Sequence, residues 1–115
     1  MTDLLTSKAM QHEDDRRVLF DWAQGDFKSA KAVIVKKAIA IGDHYHKNKD
    51  EYFLLLQGEF MELTVGEKTE RNIKAPYSVK IPRGVYHKFV CVEGSILLGV
   101  ASELFDETDE IKNQC

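Results

Sequence analysis

His44-Tyr45-His46-Lys47-Asn48-Lys49-Asp50-Glu51-Tyr52-Phe53-Leu54-Leu55-Leu56-Gln57-Gly58 is the stretch on which the reading of this chain turns. Side chains two apart on a strand point to one face, so His44 and His46 share a side of whatever sheet carries them. Glu51 then opens an apolar run, and Gly58 allows a tight reversal into Glu59–Val65. The chain has 4 histidines, and a third belongs to a second short motif, Pro82-Arg83-Gly84-Val85-Tyr86-His87. Three imidazoles and a carboxylate form a mixed N/O donor set that suits a divalent transition metal or zinc.

Working outward, the pattern stays that of short strands. Arg17–Trp22 reads as a first strand with a turn at Gly25-Asp26, and the β-branched enrichment of Lys28–Ile41 favours a strand over a helix. Gly42-Asp43 and Lys47–Asp50 bracket the paired histidines. After Gly58, Met61, Leu63 and Val65 alternate with Phe60, Glu62 and Thr64. Further strands are expected near 68–73, 77–81, 86–92 and 95–102, separated by Gly66-Glu67, Pro76, Pro82–Gly84 and Glu93-Gly94. About eight or nine short strands with frequent turns predict an all-β fold, a single double-sheet jelly-roll barrel. The expected organisation is a flexible N-terminal arm over 1–14 and one domain over 15–115 that ends in a short C-terminal extension. If Glu51 points inward, so do Phe53 and Leu55. Tyr52, Leu54 and Leu56 then face outward, an apolar stripe too large to leave wet. Another sheet or a second subunit should cover it, and a homodimer with this stripe in or near the interface is the expectation.

Composition narrows the function classes. A chain of 115 residues with 43% hydrophobic and 30% charged residues has the ordinary balance of one globular domain. A net charge of -3 without a basic cluster argues against nucleic acid as a partner. No apolar run approaches the ~20 residues of a membrane span. The opening residues lack the features of a signal peptide, so a cytoplasmic location is expected. Cys91 and Cys115 give no disulfide framework. Cys91 lies in phase with His87 and Phe89, and reads better as a small core residue than as a reactive thiol. Phe53, Phe89, Cys91 and, at the mouth, Arg83 are candidates for a small-molecule substrate pocket; core packing for the first three and an ordinary surface position for Arg83 are the alternatives.

The two motifs together resemble those of the cupin superfamily. His44-x-His46-x4-Glu51-x6-Gly58 follows its first motif from the first histidine onward, and Pro82-x-Gly84-x2-His87 follows the middle of its second. The resemblance implies a jelly-roll barrel holding one divalent ion (zinc, iron, nickel, manganese or copper) on His44, His46, Glu51 and His87, with positions left open for a ligand. Three further stretches look like the sugar-nucleotide branch, the dTDP-sugar 3,4-ketoisomerases and, more distantly, the 3,5-epimerases. They are Asp15-Arg-Arg-Val-Leu19, Gly42-Asp-His44-Tyr-His46-Lys47 and the tail Ala101-Ser-Glu-Leu-Phe-Asp-Glu-Thr-Asp-Glu-Ile111. That branch implies a nucleotide-sugar isomerase or epimerase working through an enediolate, with His44 as the base and His46 as its partner. A histidine bound to metal is a poor free base, so the two roles compete. A metal-dependent dioxygenase and a non-catalytic small-ligand-binding cupin remain the alternatives.

Overall fold

The structure is a computed structural model that describes residues 6–7 and 10–112. Apart from a 3-10 turn at Glu107–Asp109, its regular structure is all strand: β1 (Thr6–Ser7), β2 (Met10–Glu13), β3 (Val18–Asp21), β4 (Ser29–Ile34), β5 (Ala40–His46), β6 (Glu51–Gln57), β7 (Glu59–Val65), β8 (Lys68–Lys74), β9 (Tyr77–Ile81), β10 (His87–Cys91), β11 (Ile96–Ala101) and β12 (Glu110–Lys112). One five-stranded sheet runs β1-β9-β6-β11-β4 and the other β12-β5-β10-β7-β8, while β2 and β3 form a separate ribbon. Consecutive strands from β4 to β7 pass from one sheet to the other, so the chain winds as a double-sheet jelly roll. No helix among the described residues is long and apolar enough to cross a membrane.

Between the sheets lies one apolar core. Phe53, Leu55, Phe60, Leu63, Val79, Phe89, Cys91 and Leu97 are all essentially excluded from solvent. The inward phase of β6 is as the alternation predicts, with Glu51, Phe53 and Leu55 buried. On β7 the simple alternation fails. Phe60 is buried and Met61 exposed, although Leu63 and Val65 point inward. Register explains it: Cys91 pairs with Phe60 and Val90 with Glu62, so Met61 is the extra residue of a bulge. A bulge shifts the side-chain phase by one, which puts Phe60 and Leu63 on one face.

The outer stripe of β6 needs a correction. Leu54 is already buried within the single chain, and the Tyr52 ring stands edge-on to Phe27 at 5.5 Å with the Lys80 ammonium 5.6 Å above it. Of that stripe only Leu56 is exposed, so covering it does not by itself require a second subunit. Both chain ends contribute strands: in the expected arm Thr6–Ser7 pair with β9 and Met10–Glu13 with β3. The C-terminal extension adds β12 to the edge of β5, with Glu110 opposite His46 and Lys112 opposite His44. Cys115 lies outside the described residues.

Gly58 shows why the β6–β7 reversal takes no other residue. Its φ is +98°, and a Cβ there would lie 2.1 Å from Ser95 Oγ and 2.8 Å from Ser95 Cα. Left-handed strain and a backbone clash then act together. Gly58→Ala is expected to destabilise the fold by at least about 2 kcal/mol, read as a lower urea midpoint at unchanged slope.

Candidate active site and metal-binding cluster

Two local devices bring the first-motif histidines to the barrel interior. In the pairing of β10 with β5, His87 faces His44 but Lys88 faces Gly42, so Asp43 is a bulge residue. Its φ is +63°, a conformation Asp adopts more readily than most residues. Without it, strict alternation from Ile41, which sits opposite Phe89, would turn His44 away from the core face. Gly42-Asp43 therefore lies within the strand and does not bracket it. Tyr86 donates its hydroxyl proton to Asp43 Oδ1, which occupies the bulge side chain. Gly42 fits tightly against His87, since a Cβ there would lie 3.0 Å from the ring carbon Cδ2. The Pro82–Gly84 turn is tied down as Gly84 N–H donates to the His46 carbonyl at 2.6 Å, which sets the entry of β10 against the end of β5.

Glu51, His44, His46 and His87 meet from three strands. Nitrogens of the three imidazoles lie within 4.8 Å of one another, and the His44 ring centroid is 4.6 Å from that of His46 and 4.7 Å from that of His87. Glu51 Oε1 is 3.3 Å from His46 Nε2 and 3.9 Å from His87 Nε2. Glu51 Oε1 and the Nδ1 atoms of His46 and His87 are buried without a hydrogen bond among the described residues. Oε1 is thus an orphaned acceptor toward which two imidazole nitrogens converge, a donor set that fits one divalent ion.

Burial keeps the His46 and His87 imidazoles neutral, the form that binds a metal or takes up a proton. Burial pushes His87 down to about 3, and the neighbouring His44, His46 and Lys31 act in the same direction. Burial, with Lys49 and His44 beside it, lowers His46 to about 4 against the opposing pull of Asp109 and Glu110. Burial raises the Glu51 carboxyl, while Lys31 and Lys49 hold it back.

Four contributors were not singled out in the sequence. Glu110 Oε2 lies 3.5 Å from His44 Nδ1 and Asp109 Oδ2 lies 3.9 Å from His46 Nδ1. Asp109 Oδ1 also accepts the backbone N–H groups of Lys47 and Asn48 at 3.0 and 2.9 Å, fixing the loop after β5. Carboxylates behind imidazoles set ring orientation and tautomer. Lys31 and Lys49 approach Glu51 Oε2 at 3.6 and 4.0 Å. Both acids fall inside the tail stretch quoted above, which was the available signal; the lysines had none.

The pocket candidates divide. Phe53 and Phe89 pack 5.1 Å apart, with ring centroids 6.2 and 5.4 Å from that of His87, and form the apolar floor beneath the cluster. Cys91 sits in the core, its thiol pushed up to about 11 by burial. Arg83 lies at the rim, where its backbone N–H donates to Asp50 Oδ1 at 2.9 Å and its guanidinium pairs with Asp50 Oδ2 at 3.3 Å. A separate opening of about 140 Å³ is lined by Lys31, Lys49, Glu51, Gly99, Ala101 and Phe105.

No curated protein matches the chain by sequence. Solved structures do. A doubly substituted form of QdtA, a 3,4-ketoisomerase from Thermoanaerobacterium thermosaccharolyticum in complex with TDP, is 28% identical; the alignment covers 94% of this chain and 86% of that one at a TM-score of 0.78. A singly substituted form of the same enzyme, in complex with TDP-4-keto-6-deoxyglucose, is 26% identical over 94% and 86% at a TM-score of 0.75. The WlaRB TDP-quinovose 3,4-ketoisomerase of Campylobacter jejuni shares the fold at 19% identity, over 94% of this chain and 91% of that one, with a TM-score of 0.78. Paired motifs, jelly-roll winding and the match of the Cupin domain family over residues 31–98 agree, and this chain belongs to the cupin family.

Proposed function

We propose that this protein is a nucleotide-sugar isomerase or epimerase that moves a proton next to the ketone of a nucleoside-diphosphate keto-sugar. The observation that carries the reading is the His44–Glu110 pair, a carboxylate-backed imidazole at 3.5 Å within a cluster of otherwise buried histidines. Likeness to ketoisomerase structures holding TDP and TDP-4-keto-6-deoxyglucose supports the substrate class.

The residues divide the work. His44, 12% exposed and so more open than His46 or His87, removes the proton α to the carbonyl. Electrons of the broken C–H bond move into an enediolate, and the proton returns at the neighbouring carbon as the ketone re-forms one position along. Glu110 holds His44 in the tautomer whose Nε2 lacks a proton and can accept one, and stabilises the imidazolium after proton transfer. His46, His87, Phe53 and Phe89 shape a dry wall, which strengthens every charge interaction within it. A resident divalent ion would be held by His44, His46, Glu51 and His87 and would supply Lewis-acid stabilisation of the enediolate oxygen in place of the His44 base, since a coordinated His44 cannot also take up the proton.

The experiment is incubation of the chain with TDP-4-keto-6-deoxyglucose in D2O, followed by NMR. Deuterium entering at the carbon next to the ketone, with or without net isomerisation, is the expected outcome. Absence of exchange, together with no thermal shift on adding TDP in either metal-free or metal-loaded protein, overturns the reading.

A further inference from the structure

We propose that Lys31 and Lys49 are built-in counter-cations of Glu51, so that a divalent ion binds the His44, His46, His87 and Glu51 cluster only in competition with them. The two carboxylate oxygens of Glu51 face different neighbours. Oε1 turns to the His46 and His87 nitrogens, while Oε2 turns to Lys31 Nζ at 3.6 Å and Lys49 Nζ at 4.0 Å.

The two lysines reach this place differently. Lys49 is only 6% exposed, and a buried ammonium needs a partner of opposite charge. Lys31 starts two strands away on β4, opposite Gly99 of β11, which in turn lies opposite Phe53 of β6. Its ammonium lies 5.3 Å from the Phe53 ring centroid on its way to Glu51. A Cβ at position 99 would stand 2.8 Å from Phe53 Cε1 and 3.4 Å from Lys31 Cε, so the glycine keeps that route open.

Charge bookkeeping gives the consequence. Glu51 brings one negative charge, and the two ammonium groups bring two positive ones. Glu110 and Asp109 approach the Nδ1 atoms of His44 and His46 at 3.5 and 3.9 Å, whereas the two ammonium groups approach Glu51 itself. An incoming M2+ therefore meets two like charges beside the carboxylate it must share, one of them on the buried Lys49 side chain. The same ammonium groups already stabilise the ionised carboxylate, which is part of what a metal would otherwise do there. Cation and metal are alternatives at one oxygen pair.

Zn2+ and Co2+ titrations of the untagged full chain test this, by calorimetry and by the visible absorption of Co2+. Lys49→Met and Lys31→Met are each expected to tighten Zn2+ binding roughly tenfold, and the double variant by roughly a hundredfold. Lys49→Arg, which keeps the charge, should bind like the unchanged chain. Adding Glu51→Ala to the double variant should erase the gain. Equal affinity in the unchanged chain and a folded double variant overturns the proposal, as does a Lys49→Arg variant that tightens as much as Lys49→Met. Should Lys49→Met fail to fold by circular dichroism, Lys31→Met alone decides, because Lys31 is 55% exposed and its removal leaves no buried gap.

Discussion

Replacing His44 by Asn is expected to lower kcat for keto-sugar isomerisation by roughly 10²- to 10⁴-fold, the usual contribution of a positioned general base. Affinity for TDP should change little, because TDP itself lacks the keto-sugar carbons on which His44 would act. Three features single out His44 within the cluster. It is the most exposed of the three imidazoles, and its Nδ1 faces the Glu110 carboxylate. His46 has its Nε2 3.3 Å from Glu51 and its basicity held to about 4, which leaves it a weak proton acceptor near neutrality. His87, held to about 3, is weaker still. Glu110→Gln should fall between the extremes, since it keeps the ring's orientation but loses the charge that stabilises the imidazolium. Its signature is a shifted pH profile of kcat at nearly constant KM. The measurement is a progress curve on TDP-4-keto-6-deoxyglucose, followed by NMR for each variant. A His44→Asn enzyme within a few-fold of the unchanged chain would move the base elsewhere in the cluster.

What the sequence revealed, and what it hid, follows from how local each determinant is. The strands β6 and β7 were legible to the residue because their limits are set by Glu51, Gly58 and Gly66, and turn chemistry is local. That His44 and His46 share a face was legible from strand parity, and their meeting with His87 from the resemblance of the two motifs to the cupin pattern. Bulges were not. Asp43 and Asn72 both take positive φ as non-glycine residues, and nothing in the flanking pattern marks them. The Asp43 bulge aims His44 and the Met61 bulge buries Phe60, so the errors of phase fell where sheet irregularity replaces alternation. Lys31 and Lys49 escaped notice for a different reason. A long aliphatic stem lets an ammonium act far from its own Cα, and only the packing of β4, β11 and β6 shows where it arrives. Glu110 became visible only with the pairing of β12 to β5, a contact between residues more than sixty positions apart.

Stability of the metal-stripped chain should fall steeply as pH drops from 6.5 to 4.5. In the unfolded chain a histidine takes up its proton near 6.5, whereas in the folded chain His46 waits until about 4 and His87 until about 3. Between those values the unfolded state holds more protons, and stability rises with pH wherever that is so. The contribution is therefore intact above 6.5, is lost as pH falls through the window, and levels off once each folded value is passed. Each group adds a slope of about 1.4 kcal/mol per pH unit inside the window, so the two together remove about 3 to 4 kcal/mol between pH 7 and pH 5. Glu51 works the other way. Burial raises its carboxyl, so the folded state takes up that proton before the unfolded one and recovers some stability in acid, one group against two. Asp50, lowered chiefly by the Arg83 backbone N–H, loses its contribution only below the usual carboxylate range and so leaves this window untouched. Urea unfolding at half-unit pH steps in the presence of a chelator measures the slope. His87→Gln should remove roughly half of it, since the amide carries no titrating proton into the pocket. A profile flat from pH 7 to 5, or one that His87→Gln leaves unchanged, would mean that solvent reaches these rings and that the dry wall on which the proposed chemistry depends is absent.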